Sequence, residues 1–325
     1  MNNDPPVGRL APSPTGAQHV GNARTYLLAW LSIRARHGRL LMRIEDLDSP
    51  RIKAWAAQQA LDDLAWLGLD WDEGPDRGGP HAPYVQTARL DHYAAAFEQL
   101  RRAERIYPCT CSRSDLGDAL SAPHVGQERP RYPGTCSHRS ASDADSLGER
   151  PFAWRFRTTD EPVTFVDRVA GPQSRRVAAE LGDFILAKRD GTPAYQLAVV
   201  VDDHAMGVTE VLRGDDLLPS TFRQLDLYRF FGWQPPEFAH VPLVIGSDGR
   251  RLAKRHGDSR MSVLRERGQG PERLLGLLAQ SCGLRPSAEP VQARELLAGF
   301  DLSKLTHQPF TFTAEMWQAL LANNR

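Results

Sequence analysis

The run Arg9-Leu-Ala-Pro-Ser-Pro-Thr-Gly-Ala-Gln-His-Val-Gly-Asn-Ala-Arg24 decides the fold, because it reads as the end of a strand, a rigid loop and the start of a helix. Its two prolines restrict the loop, and its two glycines allow a ligand to approach the backbone closely. The spacing of the apolar residues that follow predicts a helix over 23–37, ended by Gly38. Free N–H groups and the helix dipole at its N-terminus favour an anion, so this junction is predicted to bind phosphate.

The residues after this helix complete a strand–helix–strand unit. Residues 39–44 read as a buried strand, and the unit implies a parallel pair in an α/β fold. The strand leads into Glu45, Asp46 and Asp48 at its carboxyl end, where open α/β sheets place groups that bind ligands. The alternative for these three acids is a solvated turn.

Length and composition describe an ordinary globular chain. It has 325 residues, 41% of them hydrophobic, and 40 basic residues balance 40 acidic ones. About two domains are expected, and a net charge of zero gives no global attraction for nucleic acid, although local patches remain possible. No apolar run approaches the roughly 20 residues of a membrane span, and the N-terminus lacks a signal-peptide pattern. We therefore expect a cytoplasmic protein with no membrane contact, and we also expect a monomer.

Three of the four cysteines are grouped. Cys109 and Cys111 form a C-x-C element, and Cys136 follows in a segment that otherwise reads as a linker. In a reducing compartment this grouping favours a metal such as zinc over a disulfide. Chemistry alone favours His138 as the fourth ligand, because imidazole binds zinc more often than phenol does. Four protein ligands would leave no open position, so the predicted site is structural.

The other elements are expected from periodicity and from turn residues. The apolar segment 195–201 follows a turn at 189–193 and is predicted to be a strand that returns to the buried sheet. Thr87 is the predicted N-cap of a helix over 88–105. The basic stretch 251–256 reads as a surface loop on composition alone. Further helices are expected at 53–67, 221–231, 272–281, 291–298 and 314–323, and further strands at 152–157, 163–169, 183–188 and 240–245.

The first run resembles the first signature of the class I aminoacyl-tRNA synthetases, in the R-x-A-P-S-P-T-G form of the glutamyl branch. Residues 251–256 are similar to the second signature, a K-M-S-K-S-like loop, with Lys254 in the lysine position. Arg251 replaces the first lysine of that signature and Ala253 replaces the serine. The resemblance covers about residues 7–300 and includes the E-x-x-R-G-x-D and V-V-V-D-D-H runs.

The chain resembles the short glutamyl paralogues, the glutamyl-Q tRNA(Asp) synthetases, in motif and in length. They carry C-x-C and Y-x-G-x-C, and this resemblance makes Tyr132 the fourth zinc ligand. It implies a Rossmann-type nucleotide-binding fold with a zinc-containing insertion and a C-terminal helical subdomain. The implied parts are 1–100 and 191–246 for the catalytic domain, 101–190 for the insertion, and 247–325 for the second-signature loop and helices, without an anticodon-binding domain.

The resemblance also implies a reaction. Glutamate would be activated by ATP and Mg²⁺ to glutamyl adenylate and transferred to queuosine in the anticodon loop of tRNA(Asp). Three alternatives remain: a minimal glutamyl-tRNA synthetase that charges a 3′ end, a non-catalytic tRNA-binding relative, and another nucleotidylyltransferase of the same fold. The resemblance also implies the residues of three sites. His19, Gly21 and Lys254 would act in catalysis, and together with Asn22 they would bind ATP. L-Glutamate would be bound by Arg9, Leu10, Ala11, Pro12, Ser13, Glu45, Tyr195 and Arg213, and one structural Zn²⁺ would be bound by Cys109, Cys111, Tyr132 and Cys136.

Overall fold

Two pairs of parallel strands form the centre of the α/β fold in the computed structural model, which describes residues 4–47, 52–112, 131–252 and 259–322. The first pair lies beside the second, because the amide of Thr209 donates to the carbonyl oxygen of Val7 at 2.9 Å. The α/β class expected from the sequence is confirmed. The paired strands are β1 (Val7–Leu10) with β2 (Arg39–Met42) and β8 (Glu210–Gly214) with β9 (Glu237–Val241).

Helix α1 (Val20–Arg34) connects β1 to β2, as the strand–helix–strand pattern predicted. Its C-terminal end differs from the prediction, since His37 is the residue with a positive φ, 55°, and Gly38 is not. Gly38 is needed for a different reason. A Cβ atom there would lie 2.3 Å from the carbonyl oxygen of Pro6, so only glycine permits this close packing.

The C-terminal helices share one hydrophobic core with α1 and with α2 (Ala54–Trp66). Arg24, which is almost fully buried, joins these parts. Its guanidinium donates to the carbonyl oxygens of Pro242 and Ser281. The remaining elements of this part are β10 (Val244–Ile245), α8 (Met261–Glu266), α9 (Glu272–Ser281), β11 (Phe310–Thr311), which pairs in parallel with β10, and α10 (Ala314–Leu321).

A separate antiparallel sheet lies between the two halves of the parallel array in sequence. Residues 106–109, expected to begin a linker, form a fully buried strand at one edge of this sheet. The boundaries 101–190 for an insertion stay a prediction. The sheet has the order β3 (Ile106–Cys109), β4 (Ala153–Phe156), β7 (Phe184–Ala187), and it is accompanied by α3 (Leu90–Arg102), α4 (Asp143–Ser146), the hairpin β5 (Pro162–Asp167) and β6 (Gly171–Arg176), and α5 (Val177–Glu180).

The predicted strand at 195–201 is wrong. The segment forms α6 (Tyr195–Ala205), whose apolar side chains are buried against α3, the antiparallel sheet and α7 (Leu218–Phe231). A helix buried on all sides loses the amphipathic period, and three consecutive valines then imitate a core strand. Asp202 and Asp203 consequently lie on a helix and do not follow a strand.

Several other boundaries also differ from the predictions. Thr87 is not a helix cap, because its amide and hydroxyl donate to the carboxylate of Asp46 at 2.8 and 2.6 Å, and α3 begins only at Leu90. The predicted strand 240–245 is divided into β9 and β10. The predicted helix 291–298 is a 3-10 turn at Ala293–Leu297, whereas the helix at 272–281 is confirmed. Within the described ranges, no helix combines the length and the apolar character that crossing a membrane requires.

Candidate active site and metal centre

His19 occupies the N-cap position of α1. Its Nδ1 accepts a hydrogen bond from the amide of Gly21 at 3.2 Å, so the proton of the neutral ring is on Nε2. Burial, together with the charge of Arg251, lowers the pKa of His19 to about 4. A Cβ atom on Gly21 would lie 3.1 Å from the His19 ring, so glycine allows the ring to fold back onto this amide. The ring therefore offers a neutral Nε2–H donor at the positive end of the helix dipole.

The two signature segments are hydrogen-bonded to each other. The amide of Val20 donates to the carbonyl oxygen of Ser259 at 3.1 Å, and the amide of Met261 donates to Gln18 at 3.0 Å. On the other side of the loop, the amide of Leu252 donates to Val244 at 3.0 Å. Both flanks of segment 253–258 are thus fixed near the start of α1. Lys254 and Ala253 themselves lie outside the described residues, as does Asp48.

Arg251 is also fixed. Its Nη1 lies 2.7 Å from the carboxylate of Asp216, which follows β8. A Cβ atom on Gly214 would lie 2.7 Å from Asp216, so this glycine leaves room for the carboxylate. The arginine that replaces the first signature lysine is therefore held by an internal ion pair.

A network of buried charges lies at the carboxyl ends of β1 and β2. Arg43, which is fully buried, donates to Asp203 at 2.7 Å and to Glu45 at 3.0 Å. The Nε of Arg9 lies 3.5 Å from the same oxygen of Asp203. Burial raises the pKa of the Glu45 carboxyl, although Arg43 and Arg9 oppose the shift. Asp203 connects the two arginines and so holds Arg9 close to Glu45.

Asp202 fixes the helix that carries Asp203. One of its oxygens accepts from Arg89 at 2.6 Å, and the other accepts from Gln86 and from Tyr93, both at 2.8 Å. These partners satisfy the buried carboxylate without any ligand. Asp202 therefore has a structural role, and it fixes the last turns of α6, which also carry Asp203.

Arg213, near the end of β8, is surrounded by neutral acceptors. Its Nε donates to His240 at 3.1 Å, and its Nη2 donates to Thr221 at 2.7 Å and to Gln224 at 2.8 Å. Its Nη1 donates to the hydroxyl of Tyr195 at 3.3 Å. Burial lowers the pKa of Arg213, but a guanidinium stays charged at neutral pH.

His240 and Asp167 support Arg213 from behind. The Nε2 of His240 accepts from Arg213, so its proton is on Nδ1, which lies 2.6 Å from the carboxylate of Asp167. Burial, with the charge of Arg213, lowers the pKa of His240 to about 4. Burial acts to raise the pKa of Asp167, but hydrogen bonds from His240 and from backbone amides outweigh it and hold this pKa low. The ring is therefore a neutral acceptor for Arg213.

Only some of the residues that are predicted to bind L-glutamate lie together in the structure. Arg9, Glu45 and Arg213 are buried at one end of the parallel strands. The ring of Tyr195 is 37% exposed, but its hydroxyl reaches Arg213. The other predicted residues of the first run lie in different surroundings. The Leu10 side chain is in the core, and the carbonyl oxygen of Pro12 accepts from the amide of Glu45 at 3.0 Å. Ala11 is partly exposed, Ser13 is exposed, and Asn22 is in the first turn of α1.

The residues that hold these side chains were missed in the sequence. Arg43 stands in the same R-x-E-D run as Glu45, and its position inside a buried strand was an available signal of an ion pair. Asp167 gave no such signal, because it reaches His240 across 73 residues through the hairpin β5–β6.

Cys109, Cys111 and Cys136 form the cluster expected for a metal. Their sulfur atoms all lie within 4.8 Å of one another, and those of Cys111 and Cys136 are 3.7 Å apart. Two thiolates on one tetrahedral zinc would be roughly 3.8 Å apart. The donor set and its spacing therefore fit a metal ion held by thiolates.

Tyr132 joins this cluster and His138 does not. The Tyr132 hydroxyl lies 3.4 Å from the sulfur of Cys109 and 3.9 Å from that of Cys111, near the roughly 3.5 Å expected between an oxygen and a sulfur ligand of zinc. It also accepts from the amide of Cys136 at 2.8 Å. His138 is exposed.

The sequence and the fold of this chain match those of a known protein family. Residues 7–318 match the family described as tRNA synthetases class I (E and Q), catalytic domain. A glutamyl-Q tRNA(Asp) synthetase of Symbiobacterium thermophilum is 50% identical over 96% of this chain and 98% of its own length. One from Rhodopirellula baltica is 49% identical over 93% and 95%. The crystal structure of a glutamate tRNA ligase from Elizabethkingia meningosepticum in complex with its amino acid has a TM-score of 0.81 at 30% identity, covering 98% of this chain and 69% of that one.

The family match spans nearly all of the described residues, and it includes both signature regions and the cysteine cluster. The named relatives are matched over almost their whole length. The chain therefore belongs to the glutamyl-Q tRNA(Asp) synthetase family, within the class I synthetases of glutamate and glutamine.

Proposed function

We propose that this chain activates L-glutamate with ATP and transfers the glutamyl group to queuosine in the anticodon loop of tRNA(Asp). The observation that carries the proposal is the position of Arg213. It is a buried cation with neutral partners on β8, and β8 lies beside β1, which carries Arg9 and leads into α1. Such a site is complementary to an amino acid that carries a second carboxylate and to a nucleotide beside it.

Glutamate is bound by opposite charges in this proposal. Arg9 and Arg213 pair with its two carboxylates, and Glu45 pairs with its ammonium group. Arg213 has five N–H groups, of which four already donate, so one N–H on Nη1 is open to the ligand. The Tyr195 hydroxyl accepts from the same Nη1 and can donate its own hydrogen to a carboxylate oxygen. Arg213 and Tyr195 together therefore supply two donors to one carboxylate.

ATP is bound at the start of α1. The Nε2–H of His19 and the ammonium group of Lys254 donate to phosphate oxygens in this assignment, and the positive end of the α1 dipole favours the phosphate charge. Gly21 keeps the His19 ring in position, and Asn22 lies beside it. ATP is used with Mg²⁺, which neutralises charge on the phosphate oxygens when bound.

The proposed reaction has two steps and needs no protein nucleophile. An oxygen of the glutamate α-carboxylate attacks the α-phosphorus of ATP, and the bond from that phosphorus to pyrophosphate breaks. A hydroxyl group of the acceptor nucleoside then attacks the carbonyl carbon of glutamyl adenylate, loses its proton, and AMP leaves. Positioning and charge stabilisation by the groups named above supply the rate.

The acceptor is assigned from the relatives, whose names specify a glutamyl-Q tRNA(Asp) synthetase activity. A single-stranded loop base can be displaced and stacked, which is the common way in which proteins recognise RNA sequence. Arg250, Arg260 and Arg267 flank the second signature and can contact the RNA backbone, so binding should weaken with salt. Arg251 and Arg265 also lie there, and they pair with Asp216 and with Asp63.

The cysteine cluster is assigned one structural Zn²⁺, with Cys109, Cys111, Tyr132 and Cys136 as ligands. Three thiolates and a phenol oxygen complete a tetrahedral shell, so no position remains for substrate. The support for Tyr132 is its hydroxyl beside two of the sulfur atoms. The ion would fix the turn after β3 against residues 132–136.

Two assays test the proposal. ATP–pyrophosphate exchange, measured with each of the twenty amino acids and without tRNA, should respond to glutamate and fail with glutamine. Radiolabelled glutamate should then label tRNA(Asp) from cells that make queuosine and not tRNA(Asp) from cells that cannot make it.

Equal labelling of the two tRNA(Asp) pools would contradict the proposed acceptor. Labelling of tRNA(Glu) that disappears after oxidation of the 3′ end would identify a minimal glutamyl-tRNA synthetase instead. The absence of exchange with every amino acid would leave a tRNA-binding relative without catalysis.

A further inference from the structure

The hydrogen-bond acceptors around Arg213 are neutral, whereas the other buried arginines of this region lie beside carboxylates. Arg9, Arg43 and Arg89 each lie within salt-bridge distance of an aspartate. Across the described ranges, Arg213 has no carboxylate within that distance. Its partners are an imidazole, two hydroxyls and an amide, and the positive charge therefore has no internal counter-ion in contact.

A buried cation without a counter-ion gains more from a ligand carboxylate than from an amide. A carboxylate forms charge-assisted hydrogen bonds with a guanidinium, whereas an amide oxygen forms weaker ones and leaves the charge uncompensated. An internal carboxylate at the same guanidinium would supply that compensation permanently and would repel the carboxylate of the ligand. The neutrality of the shell is thus a condition for preferring glutamate over glutamine.

Position 224 is where the neutral shell could most easily be lost, because a glutamic acid side chain at this position would have the same shape as the glutamine side chain of Gln224. Its Oε1 accepts from Arg213, and its Nε2 donates to Gln196 at 3.0 Å. The Nε2 of Gln196 in turn donates to Ser220 at 3.0 Å. This chain of amides fixes the direction of Gln224 and presents a neutral oxygen to Arg213.

We propose that Gln224 is a specificity-determining positioning residue: it holds Arg213 with a neutral acceptor and so reserves the guanidinium charge for the side-chain carboxylate of the substrate. The inference rests on the proposed function, since it concerns how the same pocket selects glutamate. Its consequence is that one substitution of an amide by a carboxylate should remove the selectivity without removing Arg213.

Gln224→Glu tests the inference. The amide of Gln196 can rotate to donate to the new carboxylate while Ser220 donates back, so the hydrogen bonds can be retained. Binding of L-glutamate and of L-glutamine is measured by calorimetry on the full chain, without ATP or tRNA. ATP–pyrophosphate exchange is measured on the same proteins. The ratio of glutamate to glutamine affinity should fall by about tenfold or more, the factor that separates charged from neutral hydrogen bonds. In exchange, KM for glutamate should rise while kcat changes little.

Gln196→Glu is the matched comparison, because it adds the same charge one hydrogen bond further from Arg213. It should shift the ratio much less than Gln224→Glu. If Gln224→Glu does not fold, Thr221→Asp delivers a carboxylate to the same nitrogen, Nη2. A ratio within about twofold of the wild-type value in the folded variant would overturn the inference.

The two proposals fail in different ways. Wild-type protein that binds glutamate but does not support exchange would contradict the proposed function, while the binding ratio would still decide the role of Gln224. Wild-type protein that binds glutamate and glutamine equally would overturn the inference itself.

Discussion

The two nitrogens of the His19 ring have separate functions. Nδ1 caps α1 by accepting from the amide of Gly21, and Nε2–H is the donor proposed for a phosphate oxygen. His19→Asn retains a good N-cap and loses the imidazole donor, whereas His19→Ala loses both. We expect both variants to lose exchange activity, but only His19→Ala to lose about 1 kcal/mol of stability. Thermal unfolding measured beside exchange checks this, and equal stability of the two variants would contradict the capping role.

The pKa of His19 also predicts a pH effect. Because its folded value of about 4 lies below the ordinary value of 6.5, the unfolded chain binds the proton more tightly. The contribution of His19 to stability is therefore present above pH 6.5 and is lost as the pH falls through 4. The loss of stability on acidification across this range should be smaller in His19→Asn than in the wild type. Identical pH profiles of the unfolding temperature would show that the ring is not held neutral.

Some residues of the candidate site could be predicted from the sequence, and others could not. His19, Glu45 and Arg213 stand in motifs whose residue types match the proposed chemistry, and these could be predicted. Gln224 stands in an ordinary amphipathic helix, and only its contact with Arg213 gives it a role. Long-range contacts of this kind leave no local pattern in the sequence.

At the scale of elements, α2 and α8 are joined through Asp63. This carboxylate is fully buried on α2 and lies 3.2 Å from the guanidinium of Arg265 on α8. Burial raises the pKa of Asp63 to about 7, although Arg265 opposes the shift. A raised folded pKa means that the contribution to stability is full below the ordinary value of 3.8 and is lost as the pH rises through 7.

Asp63→Asn should therefore gain stability relative to the wild type as the pH rises from 5 to 8. The asparagine occupies the same volume and never has to bury a charge. Asp62→Asn is the control, since Asp62 pairs with the same arginine from a more exposed position. Unfolding temperatures over this pH range check the prediction. A constant difference between Asp63→Asn and the wild type would contradict it.

Elements could be predicted where one face is buried. The periods of α2 and α9 are clear, and each lies close to its predicted range. Helix α1 also lies close to its predicted range, although residues 27–33 are all buried. Helix α6 could not be recognised, because burial on all sides removes the period and its valines favour a strand. Strand β3 was read as the start of a linker, since a proline and a cysteine stand within its four residues. Their burial depends on strands that are distant in sequence.

At the scale of the whole molecule, the cysteine cluster lies at one edge of the antiparallel sheet. We expect metal analysis to find one zinc per chain, and we expect a chelator to loosen this sheet before the parallel strands. Hydrogen exchange should accordingly rise at 106–109 before it rises at β1 and β2. Simultaneous exchange of both regions would show that the metal has no local role.

The fourth ligand is tested by two substitutions. Tyr132→Phe removes the hydroxyl that lies between the sulfur atoms, so zinc should be released at a lower chelator concentration. His138→Ala should retain wild-type affinity, because that side chain is exposed. Release of zinc from His138→Ala alone would show that the tyrosine is not the ligand.

The position of Arg24 determines when this protein can finish folding during its synthesis. The guanidinium is buried, and its hydrogen-bond acceptors come from residues 242 and 281, which the ribosome adds more than two hundred positions later. Until those residues emerge, the inner face of α1 cannot be dehydrated without leaving a charged group unpaired. We therefore expect the first strand–helix–strand unit to remain hydrated on the ribosome while most of the chain is made, so that chaperones can bind its apolar surface during that interval.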